Sequence, residues 1–243
     1  VGFLALLAGP HGLAGTPPGD GSLEADLLPA CLIGLSWEQT PGYALVVEKA
    51  SQTLSVYEWK DGFTRKHRFP CSTGEVSGKK ERVGDRKTPE GGYFFTRAFD
   101  KRDLGPIYGN RAFVTDYPNF LDKKQRRDGH DIWLHGTNKP LKPRDSNGCV
   151  VMENRDIDLV AQYIQLNRTP IIIKEDVHMV PKAVCLAQYK DLTQFLSDWK
   201  QAFTSGDKAA FMARYETPGP ATEALWRTWD EIRPAWKEAQ LAV

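Results

Sequence analysis

His135 and Cys149, fourteen positions apart, are the residues of this sequence best suited to nucleophilic chemistry. The reactive form of cysteine is the thiolate, and a nearby imidazole can act as the base that makes it. In Ile132-Trp133-Leu134-His135 the residue types alternate, so Trp133 and His135 share one face of a strand and Ile132 and Leu134 the other. Gly136 follows, and the next dozen residues hold Thr, Asn, two Pro, three basic residues and Ser, the composition of an exposed loop returning to the sheet. The loop ends in Ser146-Asn147-Gly148-Cys149. Small, turn-forming residues there let the backbone bend tightly, expose the sulfur and aim amide N–H groups at an oxyanion. An isolated histidine and cysteine would more often be an inert buried thiol beside an unrelated imidazole. Glycines at both turns, at this spacing, weigh the other way.

The elements that must position the pair can be read in order. Tyr43 to Ala50 and Thr53 to Trp59 alternate as a hairpin around Ser51-Gln52, and Thr64 to Cys71 reads as a third strand running into a loop over Ser72 to Pro89. In Thr88-Pro-Glu-Gly-Gly-Tyr-Phe-Phe a proline and glycine turn feeds another strand. Tyr108 to Tyr117 gives a further turn and strand, and Asp122 to Gly129 a charged loop that could rim the site. After Cys149, Asn154 or Asp156 is a candidate cap for a helix reaching about Leu166, with Ile157, Val160, Ala161 and Ile164 as its apolar stripe. Backbone amides ahead of that helix would favour a thiolate at Cys149. Thr169 to Lys174 is a β-branched, buried strand.

The pattern carried by His135, Gly136, Ser146, Gly148 and Cys149 resembles the signature of the L,D-transpeptidase (YkuD-type) catalytic domain, and Thr88 to Phe95 matches that family's T-P-x-G-x-Y/F element. Many members carry His before the Gly-Cys pair and Arg two residues after the cysteine, where this chain has Asn147 and Val151. The S-N-G-C-V-V-M variant, with Tyr117-Pro118-Asn119, Asp122 and the run GHDIWLHG, is similar to the cell-shape-determining L,D-carboxypeptidase branch. The resemblance implies a mainly β fold with α, a YkuD-like mixed β-sandwich with one main helix over residues 42–178. It also implies an exported cysteine enzyme that cleaves the L,D bond before a terminal D-alanine of peptidoglycan stem peptides through a thioester, as L,D-carboxypeptidase, L,D-transpeptidase or both. Cys149 would be the nucleophile, His135 its base and the Gly136 carbonyl the imidazole's orienter; Ser146, Asn147 and Gly148 would form the oxyanion and substrate side, with no cofactor and no metal. The stem's carboxylates are expected on loop cations, Arg144 first, then Lys142 and Arg155. A protein of another class, catalytically inactive and binding the wall or a partner on the same fold, is the alternative. A papain-like or NlpC-type hydrolase would place its cysteine before its histidine, the reverse of the order here.

The 243 residues suit one full domain plus a smaller addition, and a net charge of +1 with 26% charged residues gives no global field for nucleic acid. Lys79-Lys80 and Lys123 to Arg127 read as solvated basic loops. The apolar start followed by small residues resembles the end of a secretory signal peptide, too short to span a bilayer, with a linker through residue 22. Such a segment would make the protein periplasmic or otherwise exported, associated with the cell envelope and peripheral to the membrane at most; its oligomeric state is open. Residues 23–41 read as a helical arm interrupted by Pro29. With Cys149 as nucleophile, Cys31, Cys71 and Cys185 are an odd remainder, and no disulfide pair can be named. Residues 179–243 turn helical: Leu192, Phe195, Leu196, Trp199 and Phe203 recur at spacings of three and four, and the pattern resembles the opening helices of an NTF2-like domain. Either that region is truncated or its helices pack directly on the catalytic domain.

Overall fold

The computed structural model describes residues 27–33, 35, 41–60, 62–216 and 219–232. The signal-like start, the linker, part of the arm and residues 233–243 lie outside these. The helical arm expected over residues 23–41 is not an α-helix in its described part. Strand β1 (Leu27–Pro29) stands there instead, followed by a 3-10 turn over Ala30–Leu32. Pro29 donates no amide hydrogen to a helix, and Leu28 and Leu32 bury on a sheet face, so a tertiary strand partner wins over local helix propensity.

Strands β2 (Gly42–Glu48) and β3 (Thr53–Trp59) form the expected hairpin, paired from Gly42↔Trp59 to Glu48↔Thr53. β4 (Phe63–Pro70), β5 (Gly91–Asp100) and β6 (Arg111–Thr115) follow. Short helix α1 (Phe120–Lys124) opens the segment expected to be a charged loop. Next come β7 (Trp133–His135), β8 (Val150–Val151), α2 (Asn154–Val160), β9 (Pro170–Lys174) and β10 (Met179–Pro181), the last paired with β1. The main sheet has the order β4-β3-β2-β9-β5-β6-β7-β8, with β9 parallel to β2 and antiparallel to β5.

The sheet curls at β5, where Gly91 to Phe94 pair with β9 and Phe95 to Asp100 pair with β6 across a register shift between Phe95 and Arg97. Its inner face carries Leu45, Val47, Leu54, Val56, Tyr93, Phe95, Ile171 and Ile173, closed by Ile157 and Val160 of α2. The opposite parity, Ala44, Val46 and Ile172, packs outward against Leu28, Leu32, Phe63 and Cys185. Strands buried on both faces explain the continuous apolar runs in β2 and β9. α2 is shorter than expected, ending at Val160 with a 3-10 turn over Ala161–Tyr163, and Glu153 is its N-cap.

Helices α3 (Lys182–Ser205), α4 (Lys208–Met212) and α5 (Pro220–Ile232) make the C-terminal region. Gly206 in the left-handed conformation ends α3, and the Asp207 carboxylate caps α4 by accepting from Ala210 N at 2.9 Å. The start of α3 joins the β domain through Cys185 and through Tyr189, whose ring lies 5.1 Å from Trp59. Its later turns carry Trp199 and Phe203 into a cluster with Phe211, Tyr215, Trp226 and Trp229.

An ion network at the β2–β3 turn ties three strand ends together. Lys49, 1% exposed, donates to Glu90 at 2.9 Å and to the Gly78 carbonyl at 2.8 Å, and sits 3.0 Å from Glu175 at the end of β9. Removing one partner of such a network leaves charges without compensation. Lys49→Met is therefore expected to cost about 3 kcal/mol of stability, read as a lower midpoint in denaturant unfolding.

Candidate active site

The register of β7 and β8 places the candidate pair, His135 and Cys149. These strands run parallel, with Leu134 opposite Val150 and His135 opposite Val151. Continued by one residue, the register sets Cys149 opposite Trp133, on the same face as His135 and diagonal to it. Ser72 bridges to Val151 on the other side, its N donating to Val151 O at 2.8 Å and its carbonyl O accepting from Val151 N at the same distance. His135 and Cys149 line one pocket of roughly 300 Å³, together with Ser72, Tyr108, Asn147 and the loop cations Lys139 and Lys142.

His135 is buried, and its Nδ1 lies 2.6 Å from the Gly136 carbonyl. A carbonyl oxygen only accepts, so the proton is on Nδ1 and Nε2 is the basic nitrogen. Gly136 has to be glycine for a packing reason: a Cβ there would overlap Asn154 Oδ1 and lie 3.1 Å from Ile157 Cγ2. Gly109, at φ +67, approaches from the other side, where a Cβ would meet Gly136 C at 2.6 Å. Asn154 fastens this crossing. Its Oδ1 accepts from Asn110 N at 2.9 Å and its Nδ2 donates to Asn138 at 2.7 Å, so it serves the histidine turn instead of capping α2. The Tyr108 ring meets the imidazole edge-on at 5.1 Å.

The cysteine turn is built as tightly. Gly148 has φ +127, and a Cβ on it would come 2.7 Å from Lys87 O. Ser146 Oγ donates to Cys149 O at 2.7 Å and accepts from Gly148 N at 3.1 Å. The Gly148 amide, expected to face an oxyanion, is thus already used within the turn. The amides of Asn147 and Cys149 have no acceptor among the described residues. Thr88 Oγ1 donates to Gly148 O and accepts from Gly74 N, both at 2.8 Å.

Charge at the site differs from expectation. Burial pushes the Cys149 thiol up to about 11, outweighing the Trp133 backbone N–H that favours the thiolate; Asp131 adds to the rise and Lys80 opposes it. Burial also lowers the His135 value, against the pull of the Gly136 carbonyl. Both shifts favour a neutral thiol beside a neutral imidazole. The helix expected to favour the thiolate starts only at Asn154, with β8 intervening, so its amides do not reach the sulfur.

Arg144 does not stand at the mouth of the pocket. Its guanidinium pairs with Glu175 at 2.9 Å and donates to Lys49 O at 3.3 Å, joining the ion network behind the loop. Arg155 is exposed and pairs with its neighbour Asp156 at 3.5 Å. Lys142, with Lys139, is the cation that lines the pocket. Gln52 explains why Arg144 turns away: its side-chain oxygen accepts from Arg144 N at 2.8 Å and Thr73 N at 3.0 Å, while its amide donates to Lys49 O and Thr73 Oγ1, both at 2.7 Å. Thr88, Gln52 and Asn154 support the site in ways that residue types alone did not show, Asn154 having read only as a candidate helix cap. Thr88 carried a signal in its Thr-Pro element, which reads as a turn until its hydroxyl is placed.

The L,D-transpeptidase catalytic domain (YkuD) matches residues 42–173 of the chain. Among solved structures, Bd1075 of Bdellovibrio bacteriovorus is similar with a TM-score of 0.72 and 31% identity, over 86% of this chain and 77% of that one. The helical cell shape determining protein Pgp2 of Campylobacter jejuni is similar with a TM-score of 0.62 and 26% identity, over 85% and 76%. No curated protein matches the sequence.

With its pKa raised, Cys149 is mostly thiol at pH 7, so iodoacetamide is expected to alkylate it more slowly than a small-molecule thiol. Its rate should keep climbing as pH rises through 9 toward about 11. Mass spectrometry of the labelled protein across pH checks this; a plateau below pH 8 would mean the thiolate is stabilised in the free protein after all.

Proposed function

Since the chain belongs to the L,D-transpeptidase catalytic-domain family, we propose that it is a cysteine acyl-transfer enzyme of the cell envelope, cleaving the L,D bond before a terminal D-alanine in peptidoglycan stem peptides. The observation that carries this reading is the His135 Nδ1 to Gly136 O bond, which leaves Nε2 as the basic nitrogen in the pocket shared with Cys149. As the sulfur attacks the carbonyl carbon of the L-centre, its proton moves to Nε2, and the Gly136 carbonyl stabilises the imidazolium that forms. The free amides of Asn147 and Cys149 are the donors for the oxyanion. Collapse returns the proton from Nε2 to the departing D-alanine amine and leaves a thioester on Cys149. Water, deprotonated by Nε2, resolves it to a shortened stem, the L,D-carboxypeptidase outcome; the amine of a second stem resolves it to a cross-link, the L,D-transpeptidase outcome. Similarity to a helical cell shape determining protein supports a role in wall remodelling that sets cell shape.

Incubation with muropeptides followed by mass spectrometry separates trimming, cross-linking and mere binding. Cys149→Ala is expected to abolish release of D-alanine while leaving the unfolding transition in place, because the side chain forms no part of the described core clusters. Persistent release by that variant would remove the thioester mechanism.

Lys139 and Lys142 are the cations that could receive the carboxylates of a stem in the pocket. Both are exposed, so each ion pair contributes on the order of 1 kcal/mol at most. The Lys139→Ala/Lys142→Ala double variant should raise KM for a tetrapeptide stem by about tenfold with little change in kcat. An unaltered KM would place the carboxylates elsewhere.

A further inference from the structure

The two basic runs of the sequence, Lys79-Lys80 and Lys123 to Arg127, belong to two loops that the fold fastens to each other. Asp128 N donates to Glu81 O at 3.0 Å, and Val83 N donates to the Asp128 carboxylate at 2.6 Å. These loops carry three of the most exposed large apolar side chains among the described residues: Phe120 at 76%, Val83 at 62% and Leu121 at 61%.

Helix α1 holds two of them rigidly. The Asn119 side chain accepts from Leu121 N and Asp122 N, and the Asp122 carboxylate accepts from Asn119 N in return. Asp122 is buried and pairs with Arg127 at 3.1 Å, which turns the opposite side of the helix, with Phe120 and Lys124, toward solvent. Lys79, Arg82, Lys123, Lys124 and Arg126 form no ion pair at salt-bridge distance among the described residues, and Lys123 attracts the Asp116 carboxylate from further away. Most acids of these loops are used internally: Asp85 by Lys80, Asp122 by Arg127, Asp128 by the Val83 amide. Glu81 has no cation partner among the described residues, and Asp128, bonded to a neutral amide, keeps its negative charge, so two acids stand against the cations outside ion pairs.

We propose that this face seats the protein on an anionic phospholipid surface, with Phe120, Leu121 and Val83 entering the headgroup layer and the free cations meeting lipid phosphates. A hydrated polyanion would satisfy the cations but give the exposed Phe120 and Leu121 no apolar medium; a lipid interface serves both. The seat adjoins the reacting centre, since Asp131 O, three residues after Asp128, accepts from Cys149 Sγ at 3.5 Å.

Sedimentation of the full chain with phosphatidylglycerol vesicles and with phosphatidylcholine vesicles tests this. Binding is expected to the first and not to the second, and to weaken with salt. A Lys or Arg near an anionic surface contributes about fivefold in binding, so Lys123→Glu/Lys124→Glu should weaken it by tenfold or more. Phe120→Ser/Leu121→Ser, and separately Val83→Ser on the other loop, should weaken it while leaving the unfolding midpoint unchanged, because all three side chains are exposed. Absence of binding to phosphatidylglycerol vesicles, equal binding to both vesicle types, or unaltered binding of the variants overturns the proposal. Retention on an immobilised anionic wall polymer without vesicle binding also overturns it and assigns the face to that polymer.

Discussion

A single buried hydroxyl, Thr88 Oγ1, is where the structure around the thiol converges. It accepts from Gly74 N and donates to Gly148 O, joining the segment after β4, the entrance to β5 and the cysteine turn. None of these backbones has room to retreat: a Cβ on Gly74 would meet Thr88 N at 2.9 Å, and one on Gly148 would meet Lys87 O at 2.7 Å. The far side of the loop is held by Gln52, which binds Arg144 N and Thr73 N with one oxygen, and by the Lys49 network below it. The long loop between His135 and Cys149 is therefore tied at its cysteine end. Its middle, Lys139 to Lys142, lines the pocket.

Desolvation dominates the electrostatics of the pair. The Trp133 amide and Lys80 favour a thiolate at Cys149, yet burial wins and raises the thiol, while the same burial lowers His135. Together the two shifts favour a resting pair of neutral thiol and neutral imidazole. A neutral resting pair limits adventitious alkylation and oxidation of the sulfur, both of which follow thiolate character.

Much of the candidate site was legible because its residue types are unusual in combination. Glycine at 136 and 148, with His and Cys at the adjoining strand ends, marks two turns that only a close backbone approach explains. The alternation in Ile132 to His135 also predicts which face meets the pocket. Three features escaped. Arg144 sits in the right stretch, but backbone direction at φ +52 and a carboxylate thirty-one residues later send its side chain backward, and neither is local information. Asn154 looks like a helix cap, because the same amide serves caps and backbone crossings alike. The arm around Pro29 reads as a broken helix until β10 supplies a partner from the other end of the domain.

The position of β9 has a consequence for how the domain comes into being. This strand enters between β2 and β5, so in the ladder of the main sheet the hairpin half and the half that leads to His135 and Cys149 are joined by residues 170–174. A chain growing from its N-terminus holds two half-sheets with unpaired edges at β2 and β5 until those residues leave the ribosome. Pairings of such sequence separation form slowly, and open edges invite wrong partners. The main sheet is thus completed only after residues 170–174 have been made, and the surroundings of Cys149 are in place only once this strand, the last of that sheet in chain order, has closed it.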